Sequence, residues 1–474
     1  MIRKILTLLS GNALASLLTL ARNLAIAWLI PLSDYGIAAT FAVAMGVVEM
    51  LSALGMEKQI VQNKRGEDPR FQAALQGFTL LRGALSAAVL FALSWPIAAF
   101  LRIPDLAWAY QVLALIPLIR AFGHFDVHRQ QRALRFGPSI AVQAGSALAA
   151  VAAIWPAYAI WPDFRVMLVS LMVQALTAAA ISHAMAERPW RVRFDAAEWR
   201  ASVVFGWPLL ANGVLLFAVM HGEKLVVGRI FDLEALAILA MGLTLTMTPT
   251  LILARSLQAF FLPQLSAVQH DDRAFQRLAE VAIQGVLAAM AVYLAGMVLL
   301  GPLLAATVLD ARYAPLVPLV GWLAVQQGMR VLKGGGATVA LARGQTANAM
   351  LANVARVAAL PVAALVAARG GALIDVIAVA TLGEAAGFVV SLALIRWRLR
   401  VSMRRLAPAF AGAGLVLAVA AGLSWRGLSA TPDAVTLVAM PAAALVALAA
   451  MRQIRSYVVA RRAAGFDDLK EPTP

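Results

Sequence analysis

Cysteine is absent from this 474-residue chain, charge is scarce, and no long polar segment interrupts it. Without cysteine there are no disulfides, no thiolate nucleophiles and no cysteine-based metal sites. Charged residues make up 14% of the chain, where a soluble domain carries about 25%. Acids are the scarcest of them: 24 Asp and Glu stand against 40 Lys and Arg, a net charge of +16. No connection between apolar stretches is long enough to fold as a catalytic domain, and neither a paired-carboxylate nor a serine-triad context appears. Gly334-Gly335-Gly336 follows Lys333 but lacks the Gly-Lys-Ser/Thr ending of a phosphate loop. It predicts a break at the end of a helix, and no cofactor is expected.

Hydrophobic residues fill the space: 62% of the chain, with mean hydropathy +0.81. They fall into roughly fourteen stretches of about 20 residues, the length that crosses a bilayer core of about 30 Å. These lie near 9–31, 36–55, 73–100, 105–127, 138–161, 165–186, 202–221, 235–256, 279–303, 314–332, 346–367, 372–395, 406–424 and 434–451. In lipid every backbone polar group must be satisfied within the span, so these are helices. Continuous runs such as 411–423 lack the period-two alternation of a membrane barrel. The expectation is an all-α polytopic membrane protein of about 14 transmembrane helices.

The basic surplus records topology rather than a nucleic-acid partner. With the N-terminus inside, the cytoplasmic connections and tails hold 26 Lys and Arg. The opposite connections hold 6: Arg102, Arg165, Arg229, Arg312, Arg369 and Arg426. Both termini are therefore expected in the cytoplasm. The first apolar stretch follows Arg3 and Lys4 and runs into Pro31-Leu32-Ser33-Asp34 with no small-residue cleavage site. It reads as a span rather than a leader.

A weak internal repeat organises the chain: residues 12–64 resemble residues 208–270. Each copy carries a basic residue ahead of a turn, Arg22 before Ile30 and Lys224 before Leu233. The turns are Ser33-Asp34-Tyr35-Gly36 and Phe231-Asp232-Leu233-Glu234, and each precedes a small-residue span. An even number of spans separates the copies, so they share orientation, as in a parallel repeat. Two pseudo-symmetric six-helix lobes, 1–200 and 201–400, are expected around a central cavity. A transmembrane hairpin (401–455) and a polar cytoplasmic tail (456–474) fall outside the repeat.

Charged side chains within spans cost about 2.5–3.5 kcal/mol each and usually face a bundle interior or water. On the first span Asn12, Ser16, Thr19 and Asn23 form one helical stripe beside Arg22. Gln76, Thr79, Arg82 and Ser86 repeat the device on the third span, and Arg120, His124 and His128 follow at steps of four on the fourth. Gln326, Arg330 and Lys333 lie on the tenth span, Asn353 and Arg356 on the eleventh. Lys224 and Glu223 sit late in the seventh span and Arg255 ends the eighth. Acids at comparable depth are Glu49, Asp126, Glu223 and Glu384. This surplus suits a wet cationic cleft that accepts an anion. For Arg120, Arg255, Arg330 and Lys333, snorkelling to the headgroups is a competing reading. Glu49, Glu223 and Glu384 are the mid-span carboxylates available for proton or Na⁺ coupling. His124 and His128 read as interfacial histidines, since no acidic or cysteine partner makes them a metal site. Pro249, after the Thr244, Thr246, Thr248 run, predicts a bend in the eighth span.

Leu29-Ile30-Pro31-Leu32-Ser33-Asp34-Tyr35-Gly36 leads into a small-residue span ending Leu54-Gly55-Met56 and a basic loop. This resembles an oligosaccharide flippase of the polysaccharide-export (Wzx) type, in the multidrug/oligosaccharidyl-lipid/polysaccharide exporter superfamily. Phe205-Gly206-Trp207-Pro208-Leu209-Leu210, Glu223-Lys224-Leu225-Val226-Val227-Gly228-Arg229 and Phe261-Leu262-Pro263-Gln264-Leu265-Ser266 extend the resemblance over residues 1–400. Glu223 stands where that family has Asp, a change that keeps the charge. The resemblance implies a transporter of the bacterial inner membrane, not an enzyme. It would move polyprenyl-diphosphate-linked oligosaccharide from the cytoplasmic to the periplasmic leaflet for O-antigen, capsule or exopolysaccharide synthesis. Its partners would be the bilayer and other polysaccharide assembly proteins. The substrate-binding set would be Arg22, Asn23, Arg82, Arg120, Lys224, Arg255, Arg330, Lys333 and Arg356, with Glu49, Glu223 and Glu384 for the coupling ion.

Three rivals compete. A peptidoglycan lipid-precursor flippase would share the basic cavity. A multidrug/cation antiporter of the same superfamily would want an acid on the first or seventh span, and the first offers only Arg22. A membrane glycan polymerase or ligase would need a large outer loop. Topology is directly testable: reporter fusions at residues 67 and 163 are expected on opposite sides of the membrane, and equal sidedness would break the span assignment.

Overall fold

The computed structural model describes residues 2–51, 56–63, 65–133, 135–345, 347–454 and 456. Among them all regular structure is helical. In chain order the helices are α1 (Ile2–Leu29), α2 (Leu32–Leu51), α3 (Met56–Gln62), α4 (Pro69–Phe100), α5 (Ala107–Leu113), α6 (Leu115–Ala121), α7 (Asp126–Arg132), α8 (Gly137–Ala152), α9 (Ile154–Ile160) and α10 (Arg165–Ala184). They continue with α11 (Ala196–Ile230), α12 (Leu233–Ala267), α13 (Asp272–Val308), α14 (Val317–Ala342), α15 (Ala347–Val357), α16 (Ala359–Ala368), α17 (Leu373–Leu399), α18 (Met403–Trp425) and α19 (Ala434–Ala449). Among the described residues the apolar stretches of the sequence are largely helical. Among the described residues ten helical runs are long and apolar enough to cross a membrane, or eleven if Pro104–Ala121 and Asp126–Arg132, bent by 54°, make one span. The apolar parts of α2 and α19 are shorter, and α14, at 26 residues, carries Arg330 and Lys333.

Connections are pinned by side chains. Asp310 accepts from Arg312 N at 2.9 Å ahead of the 3₁₀ turn Ala311–Leu316, and Asp433 accepts from Thr436 N at 2.8 Å to cap α19. These bonds favour the ionised form and hold both carboxyls below the usual range.

The chain divides into two compact units, Met1–Thr244 with Ala363–Leu373, and Leu245–Val362 with Ile374–Pro474. In the first unit α8 packs against α1 and α10, α4 against α5, α6 and α11, and α2 against α11. Phe41 meets Tyr110 and Phe164 edge-on, and Thr40 and Tyr110 share a hydroxyl hydrogen bond of 2.5 Å. Beneath them Met56, Ile60, Phe71, Leu75, Phe78 and Phe125 form one buried cluster under Trp199, whose Nε1 donates to Ala74 O at 3.0 Å.

The fourth apolar stretch is not one helix. It breaks at Ala114 and again after Ala121, so Arg120, His124 and His128 do not share a helix face. A break at membrane depth strands backbone groups that water cannot reach. Gln76 on α4 serves them: its Nε2 donates to Ala121 O and Gly123 O at 3.1 Å each, and its Oε1 accepts from Phe125 N at 3.3 Å. Ser182 Oγ accepts from His124 N at 2.9 Å.

In the second unit α13 is the hub, packed on α14, α18 and α19. Gln284 on α13 accepts from Gln453 N at 3.0 Å and Ile454 N at 3.1 Å and donates to the Gln453 side chain. Gln453 Nε2 in turn donates to Arg405 O at 3.1 Å, which ties both ends of the α18–α19 hairpin to α13. The glycine run 334–336 does not end a helix, because α14 continues through it to Ala342. A Cβ on Gly335 would touch Val286 at 3.3 Å, and one on Gly336 would press into Ser391 Oγ at 2.8 Å and Ile395. The run is a close-packing surface, and its missing side chains are what let α13 and α17 approach. Likewise α12 continues through Pro249 and Pro263.

Gly36 explains part of the first turn motif. A Cβ there would collide with the carbonyl of Leu233, so the acidic turns of the two repeat copies abut backbone to backbone. Gly36→Val is expected to cost about 1–3 kcal/mol by forced overpacking. It should lower the melting temperature of detergent-purified protein, and an unchanged midpoint would sink the close-contact account.

Candidate functional site

The polar stripe of α1 is real. Ser16 and Thr19 donate back to the carbonyls of Asn12 and Ala15, each at 2.9 Å, which spends their hydroxyls locally. Arg22 is different. It is 8% exposed, its Nη1 donates to Gln174 Oε1 on α10 at 2.7 Å, and its Nε faces Asn23 Oδ1 at 3.4 Å. Both acceptors are neutral amides. No carboxylate lies within ion-pair distance of Arg22 among the described residues. Gln174 is absent from the sequence-derived set. Its only signal was a lone glutamine in the apolar run Arg165–Ala184.

Arg82 and Arg120 meet elsewhere in the same unit, at a cavity of about 310 Å³. Its walls come from α4 (Thr79, Arg82, Gly83), the end of α6 (Pro117, Arg120), the following break (His124), the start of α8 (Ser139, Gln143) and the end of α10 (Ser182). Among the described residues Glu57 on α3 is the lining carboxylate. The cavity exists because the fourth stretch breaks: a straight helix through 122–125 would not turn His124 and Phe125 across the ends of α8 and α10.

The second unit assembles four sequence-derived residues into one buried network. Arg330 Nε on α14 donates to Glu384 Oε1 on α17 at 2.5 Å, and Arg356 on α15 pairs with the same oxygen. Asn353 Oδ1 accepts from Lys333 Nζ at 2.8 Å and from Arg356 Nη1 at 2.9 Å. Side-chain exposures of Arg356 and Glu384 are 6% and 4%. Two guanidinium groups thus share the Glu384 carboxylate, and Asn353 links Lys333 to Arg356. Gly383 and Gly387 make room for it, since a Cβ on either would strike Arg356 or the backbone beside it.

The other candidates stand apart. Glu223 is buried on α11 with Lys224 half-buried beside it, and Arg255 is exposed on α12. The side chain of Glu49 lies outside the described residues. Asp126, fully buried, pairs with Arg129 at 2.5 Å and accepts from Glu187 N at 2.8 Å. It is a structural anchor of α7 rather than an open carboxylate. Among the described residues no group of three or more His, Asp or Glu could hold a metal ion.

A family model described as "Polysaccharide biosynthesis protein" matches residues 25–318. No curated protein matches. Among solved structures, "Lipid II flippase MurJ, inward closed conformation" is similar with a TM-score of 0.71 at 12% identity, covering 97% of this chain and 100% of that one. An inward-facing multidrug resistance MATE family transporter of the MOP superfamily has a TM-score of 0.69 at 14% identity, covering 81% and 94%. Its outward-facing counterpart gives 0.60 at 14% identity, covering 84% of this chain and 95% of that one. At these identities the likeness establishes the fold. The family match spans well over half of the chain, in agreement with the Wzx-type motifs, and the chain belongs to the polysaccharide biosynthesis protein family.

Proposed function

We propose that the protein is a flippase that moves polyprenyl-diphosphate-linked oligosaccharide from the cytoplasmic to the periplasmic leaflet of the bacterial inner membrane. It works by alternating access, with both termini cytoplasmic, and serves O-antigen, capsule or exopolysaccharide synthesis. The observation that carries this reading is Arg22. A buried charge left without a counter-ion is strongly destabilising, so a guanidinium held mid-span by two amide oxygens is a standing receptor for an anion. The substrate diphosphate supplies one. Arg330, Lys333 and Arg356, joined through Glu384 and Asn353, supply a second basic centre for the headgroup. The polyprenyl tail is too apolar for a wet, basic site and stays in lipid. Family membership supports the pathway, and the repeat in the sequence supports two lobes that alternate.

A peptidoglycan lipid-precursor flippase is the second reading. The likeness to MurJ over that protein's whole length, α18 and α19 included, favours it over a multidrug antiporter, whose fold covers less of this chain. Both flippase readings share the diphosphate chemistry.

Coupling separates the carboxylates. Glu384 is occupied by two guanidinium groups, which oppose binding of a proton or Na⁺ while they remain in place. Glu223, buried on α11 beside Lys224, stands with Glu49 as the other coupling candidate.

The decisive measurement is a flipping assay with purified protein in liposomes and a fluorescent lipid-linked oligosaccharide, with and without a proton or Na⁺ gradient. Arg22→Ala is expected to reduce transfer about tenfold or more while leaving membrane insertion intact, with partial recovery in Arg22→Lys, since losing a charge-assisted bond is worth about 1.5–3 kcal/mol. Transfer no faster than in empty liposomes under any gradient would remove the flippase reading. Glu384→Gln is expected to lower stability by about 3–5 kcal/mol, because it strands buried cations, and this reads as a lower melting temperature. If Glu223 carries the coupling, Glu223→Gln is expected to abolish gradient dependence. The opposite assignment of the two effects would reverse the roles.

A further inference from the structure

Where α2 packs on α11, both within the first unit, glycine makes the seam. Gly36 takes the carbonyl of Leu233 at the head of α12, and about three turns further along α2 Gly46 takes the ring of His221. We infer that His221 is a proton-binding site that latches α2 to α11: the neutral ring sits in the notch left by Gly46, and a protonated ring leaves it. The part this latch plays in transport rests on the flippase reading; the latch itself does not.

Fit is the first observation. A Cβ on Gly46 would lie 2.5 Å from His221 Nε2 and 2.7 Å from its Cδ2, so the ring fills the space of the missing side chain. Phe217, one turn earlier on α11, stacks on the ring with centroids 5.3 Å apart and planes 29° apart. Polarity is the second. His221 Nδ1 is buried and has no hydrogen-bond partner among the described residues. A neutral imidazole carries one N–H and a protonated one carries two. A glycine and a phenyl face give the second N–H no acceptor, and a buried donor left unpaired is costly. Charge is the third. Lys224, three residues on, is close enough to repel a charged ring. Glu223 is buried on the same helix, and Glu49 follows Gly46 by three residues on α2, its side chain outside the described residues. The other helix packed on α11, α4, carries Arg70 and Arg82, and the helix that follows, α12, carries Glu234 and Arg255.

Position gives the latch its meaning. In sequence α2 falls in the first repeat copy, 12–64, and α11 runs into the second, 208–270. The ring of His221 is therefore held at a contact between the copies. An ionisable residue within a span is by default a functional one, and histidine is the side chain whose ordinary titration falls near physiological pH. Packed interfaces are bistable rather than continuously deformable. Expelling one ring from one glycine notch is a local event that such an interface converts into a separation of α2 and α11. In a transport cycle this ties uptake of a proton to the contact between the copies.

The chain has no cysteine, so introduced cysteines take spin labels without background. Full-length protein in nanodiscs, labelled at Ala42→Cys on α2 and Leu216→Cys on α11, both exposed positions, reports the distance across the seam by electron paramagnetic resonance. With His221 intact the distance is expected to lengthen by about 2 Å or more, the scale of interface helix shifts, between about pH 8 and about pH 4.5, a window that crosses the histidine range. His221→Phe, which keeps a ring and takes no proton, is expected to hold the short distance throughout. His221→Gln, also neutral at every pH, repeats that test in case the phenyl ring packs badly. Gly46→Ala, which fills the notch, is expected to show the long distance already at the high pH. Glu223→Gln is expected to keep the pH response. No lengthening with His221 intact, a pH response in both His221 variants, no lengthening in Gly46→Ala, or loss of the response in Glu223→Gln each overturns the latch. The labels report without substrate, so failure of the flipping assay leaves the latch standing, and a seam that ignores pH leaves the Arg22 result standing.

Discussion

A guanidinium group inside an apolar span must find oxygen atoms within the protein, and the packing of both units is arranged around that demand. Lipid offers no hydrogen bonds, so each buried polar atom has to be answered by a particular neighbour. Arg22 is answered by Gln174 across α1 and α10. Arg330 and Arg356 are answered by Glu384, and Lys333 by Asn353. The same demand applies to backbone. The fourth apolar stretch can break only because Gln76 collects the carbonyls of Ala121 and Gly123 and the N–H of Phe125. One glutamine therefore licenses a bend of 54°, and the bend in turn shapes the Arg82–Arg120 cavity.

The spans were legible in the sequence because their signal is local. Twenty apolar residues with short basic connections need no tertiary information to be read, and among the described residues the stretches are largely helical. The polar stripes were legible for the same reason: helical period alone placed Gln76, Thr79 and Ser86 on one buried face of α4. Partners were not legible. Gln174 lies 152 residues from Arg22, and nothing in the apolar run around it marks it as an acceptor. Spacing also misled where the helix stops. Arg120, His124 and His128 keep a step of four, yet the chain leaves the helix at Phe122, so the step carries no geometry.

Glycine misled in the opposite sense. A run of three reads as a break because glycine is a poor helix former in water. In a membrane interior the competing state is not solvated coil, and small residues let backbones approach. Gly335 and Gly336 are buried on α14 for that reason, and the helix runs on for a further turn and a half. The Ser33-Asp34-Tyr35-Gly36 turn shows the same principle at a connection, where Gly36 gives way to the carbonyl of Leu233. The motif that marks the family is thus in part a packing requirement.

The two units treat their buried charge differently, and the difference bears on mechanism. In the second unit three cations are tied by Glu384 and Asn353 into a network that holds α14, α15 and α17 together. Such a network is stiff, because removing any member strands another. In the first unit the acceptors of Arg22 among the described residues are the neutral amides of Gln174 and Asn23. An anion entering the first unit at Arg22 meets a guanidinium held by two amide oxygens. One entering the second must compete with Glu384 for the same guanidinium groups. Anion capture therefore costs least in the first unit, while the second is the one whose helices would have to rearrange to accept a charge. A transporter needs both properties, a ready receptor and a network that changes state when the receptor is filled.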